Sequence, residues 1–162
     1  MSKKSINDEN FKLTTEEALR LIDLLKEKVT ETSINFPKAG NKIEFDVIAI
    51  ENKNKFTINI YRGSINKQKC TYQGRTAINN IPLLRLDVTK SSHINPDGTK
   101  IEGTHLHIYR EENDINYAIP FNIDNPNLYA YCLSFFEKFN LIKSSYELLY
   151  QTELEERRKV DE

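Results

Sequence analysis

The hydrophobic pattern of this chain changes period around Pro37 and Gly40, and that change bounds the folds open to it. Before it, Ala18, Leu21, Ile22, Leu25 and Val29 recur at the spacing of one helix face, with Arg20, Lys26, Glu27 and Lys28 elsewhere. After it, Ile43, Phe45 and Val47 alternate with Glu44 and Asp46, and Phe56, Ile58 and Ile60 alternate with Thr57, Asn59 and Tyr61. Period two is the mark of a half-buried strand. A chain that opens with an amphipathic helix and continues in strands must lay helix on sheet, which is the α+β class.

Local signals mark the element ends. Thr14 and Glu17 have the spacing of a capping box, and Leu13 can staple onto Ala18. Residues 51–55 read as a polar hairpin loop. Further strands are predicted around Lys69 to Tyr72, Leu83 to Val88, Thr104 to Arg110 and Tyr117 to Phe121, with a turn at Glu112-Asn113-Asp114. The total is five or six antiparallel strands. Asn125 as N-cap and Pro126 at the first helical position predict a second helix that turns Leu128, Cys132, Phe135, Phe136 and Phe139 inward and closes at Asn140. From Ser144, Tyr146, Leu149 and Leu154 predict a third helix that frays into the charged residues 155–159. The expected organisation is a flexible N-terminus (1–12), one α+β domain (13–143) with its helices on one sheet face, and a C-terminal helical extension (144–162). Its core should gather Leu21, Ile22, Leu25, Phe45, Ile58, Leu86, Ile108, Phe135 and Phe139.

A length of 162 residues suits one domain with its own core. With 23 basic and 24 acidic residues, the formal charge of -1 draws the chain to no polyanion, so any nucleic-acid binding must use a local patch. Bases are dense from Lys53 to Arg110. Cys70 and Cys132 fall in different elements and read as reduced, partly buried thiols. The N-terminus lacks an apolar signal region and no apolar run reaches membrane length, so a cytoplasmic protein without membrane contact is expected. The sequence has no phosphate-binding glycine loop, nucleophile elbow or paired CxxC. Nucleotide hydrolysis, redox chemistry and a bound cofactor are therefore not expected.

Strand alternation decides which reactive side chains meet. In Leu84-Arg85-Leu86-Asp87-Val88, the apolar residues share one face and Arg85 and Asp87 the other. In the segment 104–110, Leu106 and Ile108 face the core, so His105, His107 and Tyr109 line the opposite side. If the two strands pair, Arg85, Asp87, His105, His107 and Tyr109 form one polar patch. The third histidine, His93, lies in the connection containing Asn95-Pro96-Asp97-Gly98, a turn that can fold back over the patch.

Three chemistries suit these residues. Metal-independent RNA cleavage would use His105, His107, Tyr109 and Arg85 as catalytic groups, with Arg85, Asp87, His93 and Arg110 on the substrate. A metal could be held by His105 and His107 with Asp87 or His93. Binding alone would need only arginine on phosphate and tyrosine stacked on a base. The plain alternative is a solvated sheet face with an Arg85–Asp87 ion pair.

The segments "IPLLRLDV" (81–88), "HINPDG" (93–98), "GTHLHIYRE" (103–111) and "NYAIPF" (116–121) resemble an uncharacterised family of small proteins from low-GC Gram-positive bacteria, their phages and mobile elements. The resemblance implies a toxin or anti-defence setting. The order of helix, sheet and helix is more loosely similar to toxin ribonucleases of the RelE and barnase type. Together these lead to an RNA-acting protein in host-defence conflict. The alternative is a non-catalytic inhibitor, such as an anti-CRISPR, that binds a host protein complex.

Overall fold

The computed structural model describes residues 12–150. Helix α1 (Thr15–Asp23) opens with the expected capping box, Thr14 Oγ1 accepting from the Glu17 amide at 3.1 Å. It is followed by β1 (Lys26–Lys28), β2 (Ser33–Asn35), β3 (Lys42–Ala49), β4 (Lys55–Arg62), β5 (Cys70–Thr76) and β6 (Pro82–Val88). Then come β7 (Ser92–Ile94), β8 (Lys100–Glu102), β9 (His105–Ile108), β10 (Ala118–Pro120), helix α2 (Leu128–Lys138), a 3-10 turn (Lys143–Ser145) and β11 (Glu147–Leu149).

Seven strands form one antiparallel sheet in the order β1-β3-β4-β5-β6-β9-β10. The class is α+β, as the change of period predicts. Helix α2 brings Phe135, Phe136 and Phe139 into a cluster with the inward residues of the central strands, among them Phe56, Ile58, Tyr72 and Leu86. Phe139 lies so close over β5 that a Cβ on Gly74 would stand 2.6 Å from its ring, so glycine is needed there for space. The Tyr72 hydroxyl donates to the Leu128 carbonyl at 2.7 Å and ties the sheet to the start of α2.

Several expectations are corrected. The first helix does not run on to Val29. It stops at Asp23 because the next residues pair on both sides: Lys26 to Lys28 ladder with β3, and the Lys26 backbone exchanges hydrogen bonds with Asn140 and Ile142. Leu25 is left exposed instead of entering the core, while Ile22, Phe45 and Ile108 are partly buried against it. The fully buried Lys26 replaces Leu25 as the inward residue. Its Nζ donates to the carbonyls of Ile22, Leu24 and Phe139, each at 2.8 Å, which satisfies the end of α1.

At the other end, α2 is capped by Asn127 and not Asn125, which has φ 50° ahead of the helix; Asn140, at φ 61°, follows its end. The third helix expected from Ser144 is absent among the described residues. Glu147 to Leu149 instead pair in parallel with Ser33 to Asn35, because β2 offers an unpaired edge on which Leu148 and Tyr150 can pack against the core. The expectations for residues 1–11 and 151–162 lie outside the described residues. Both cysteines are free and buried, and burial pushes the Cys70 thiol up to about 12. No described helix is long and apolar enough to cross a membrane.

Candidate functional site: a buried histidine cluster beside a basic groove

The ladder between β6 and β9 places Arg85 opposite His107 and Asp87 opposite His105, while Leu86 meets Leu106 on the core side. This is the grouping that strand alternation predicts for four of the five patch residues. Tyr109 is the exception. It lies past the last residue of β9, its ring is buried, and its hydroxyl donates to the Leu13 carbonyl at 2.8 Å. The chain entering α1 docks at this end of the sheet, with the Glu111 amide donating to Thr15 Oγ1, so a position expected to be polar has become part of the core. Arg110 is also engaged elsewhere, its guanidinium 3.6 Å from the centre of the Tyr117 ring.

The patch is not a solvated face. Strands β7 and β8 form a hairpin whose turn is closed by Gly98 at φ 88° and by the Thr99 amide donating to Asp97 Oδ1. Asn95 fastens this hairpin to the sheet edge. Its Nδ2 donates to the Ala118 carbonyl and its Oδ1 accepts from the Ala118 amide, both at 2.8 Å, imitating a strand partner for β10. His93 is thereby stacked on His105, with ring centres 5.1 Å apart, and set edge-on to His107 at 4.7 Å. His107 is 1% exposed and His105 4%. The sequence marks Asn95 only as a turn residue; that its side chain pairs with Ala118 depends on contacts remote in sequence.

Each imidazole has one nitrogen committed to a backbone carbonyl: His93 Nε2 to Asn116 (2.9 Å), His105 Nδ1 to Gly103 (2.8 Å) and His107 Nδ1 to Ile115 (2.8 Å). These bonds fix the tautomers of the neutral rings, the proton being donated to the carbonyl. The remaining nitrogens of His105 and His107, both Nε2, lie 3.4 and 3.1 Å from Asp87 Oδ2. Arg85 Nη2 approaches the same two groups, 3.2 Å from Asp87 Oδ2 and 3.1 Å from His107 Nε2.

The charges follow from these contacts. Burial works to raise the Asp87 carboxyl, but its contacts with the imidazoles of His105 and His107 and with the Arg85 guanidinium hold it far below the usual range. Burial would depress His105, yet the Asp87 carboxylate outweighs it and the net shift is upward. For His107, burial with the Arg85 charge wins and the shift is downward.

Beside the cluster lies an open groove of about 390 Å³, lined by Lys69, Arg85, Asp87, Ser91, His93 and His105 among others. Lys69, which the sequence reading did not single out, brings a second cation to it. Arg85 Nε is buried without a hydrogen-bond partner.

Fold and site together define a helix-on-sheet protein whose chemistry is concentrated where one hairpin covers the β6–β9 ladder. The chain belongs to a family of unknown function, DUF6978, whose model matches residues 13–141 and so takes in every residue of the cluster. No curated protein and no solved structure matches the chain.

Proposed function

We propose that this protein binds RNA through its phosphate backbone in the groove beside the histidine cluster, acting in the cytoplasm for a phage or other mobile element against host defence. The observation that carries the reading is Arg85: its side chain, 31% exposed, lines the groove together with Lys69. A guanidinium suits phosphate in both charge and geometry. Lys69 and the hydroxyl of Ser91 stand along the same groove to meet a neighbouring phosphate. A net charge of -1 leaves this local patch as the source of affinity.

The reading is one of binding. Cleavage by the pair expected from sequence, His105 and His107, needs both imidazoles at the scissile phosphate, but His107 is sealed behind the groove and the Tyr109 hydroxyl is engaged by Leu13.

Purified protein should lose absorbance at 260 nm relative to 280 nm on RNase treatment, and titration of labelled single-stranded RNA should give an affinity that falls with salt. Arg85→Ala should weaken that binding and flatten its salt dependence. Salt-insensitive or absent RNA binding would overturn the reading in favour of an inhibitor of a host protein complex.

A further inference from the structure

We propose that His93, His105 and His107 bind a divalent transition-metal ion of the zinc class, with the Asp87 carboxylate beside them as the fourth donor. The inference goes beyond the RNA reading and does not rest on it.

Three observations converge. Each histidine offers one ring nitrogen, and these three atoms lie within 4.8 Å of one another. One nitrogen of every ring faces a backbone carbonyl, the arrangement that orients metal-binding imidazoles and leaves the lone pair on the other nitrogen. That three of three rings share it is more than packing requires. Asp87 Oδ2 stands 3.4 and 3.1 Å from His105 Nε2 and His107 Nε2. Donor atoms about 2.0 to 2.2 Å from a tetrahedral ion are themselves about 3.3 Å apart, so this edge of the site already has the right length.

The donor set of imidazoles and one carboxylate suits zinc and its first-row neighbours over magnesium or calcium, which take oxygen ligands. The protein's thiols do not compete, since Cys70 on β5 and Cys132 on α2 are both buried in the hydrophobic core.

Arg85 sets the condition on binding. Its Nη2 lies within 3.2 Å of two of the donor atoms, so a cation entering the cluster must displace the guanidinium toward the groove. Like charges do not share a site of this size. The ligands and Arg85 should therefore respond oppositely to removal, which separates a metal centre from a structural ion-pair network. Because the guanidinium would move into the groove, an ion would also place the unpaired Nε–H nearer to solvent and to any bound anion.

The experiment uses the full chain, stripped with a chelator and titrated with zinc against a chromophoric competitor, with cobalt(II) as a spectroscopic probe. We expect one ion per chain, a rise in melting temperature with zinc, and cobalt absorption of tetrahedral intensity without a thiolate charge-transfer band. His93→Ala, the variant least able to disturb the sheet because it lies on the covering hairpin, should weaken binding at least tenfold, as should His107→Gln. Arg85→Ala should bind zinc as tightly as the parent or more tightly while losing RNA affinity, so the two proposals fail separately. Absence of stoichiometric binding by the parent chain, or binding that survives loss of His93 and His107 in folded variants, would overturn the metal site.

Discussion

Arg85 and His107 face one another across the β6–β9 ladder, and an Arg85 Nη2 N–H donates to His107 Nε2 over 3.1 Å. His107 can accept this bond only with its proton on Nδ1, where the Ile115 carbonyl receives it. His93 is held the other way, with Nε2 facing the carbonyl of Asn116.

The two rings should therefore be opposite tautomers in the chelator-treated protein. Nitrogen-15 spectra of the neutral imidazoles should show Nδ1 protonated in His107 and Nε2 protonated in His93. Finding both as Nε2–H would show that the backbone carbonyls do not set the cluster.

Asn95 should be what holds the hairpin over the histidines. Its side chain makes two bonds to the Ala118 backbone, and Asn95→Ala would leave a buried amide and carbonyl of β10 unpaired. We expect a loss of about 1 to 3 kcal/mol in denaturant stability. Hydrogen exchange at Ala118 should accelerate more than exchange in β4 and β5; uniform acceleration would assign Asn95 to general stability instead.

Lys26 should impose a pH dependence on folding. Burial pushes its ammonium down to about 7, against the opposing attraction of Asp23. Between that value and 10.5 the unfolded chain holds more protons than the fold, so stability should rise with pH from about 7. Cys70 acts with the opposite sign: its thiol stays protonated to about 12 in the fold but only to 9.0 when exposed, so stability is lost above that lower value. Urea midpoints should accordingly climb from pH 7 toward 9 and flatten beyond. Lys26→Met should abolish the climb and also cost stability, about 1 to 3 kcal/mol, because three carbonyls lose their donor. A parent profile flat from 7 to 9 would show that these carbonyls hold the ammonium charged.

The packing of α2 on the sheet gives a test of the core. Leu86 is fully buried, and Leu86→Ala should cost about 2 to 5 kcal/mol by thermal or urea unfolding. Gly74→Ala adds rather than removes volume, forcing Phe139 off β5, and should cost about 1 to 3 kcal/mol. A near-neutral Gly74→Ala would mean that α2 is free to slide.

The sequence alone determined the elements that are written in local chemistry. The capping box at Thr14, the period-two strands, and the sharing of one face by Arg85, Asp87, His105 and His107 all follow from spacing, because side-chain direction along a strand depends on little else. Contacts remote in sequence decided the rest. Leu25 fits a helix face as well as any residue in α1, yet the unpaired edge of β3 and the exit of α2 claim the backbone from Lys26 onward. Residues 147–149 become a strand for the same reason, since β2 supplies hydrogen-bond partners that no local pattern announces. Tyr109, just past the end of β9, meets Leu13, ninety-six positions away, and so is lost to the polar patch. Only the folded chain, by pinning Asn95 to Ala118, turns a sheet face that could have been solvated into a cluster of three imidazoles, two of them buried. A pattern of two or 3.6 reports which way a side chain points; whether water or another element waits there is settled by tertiary hydrogen bonds and packing.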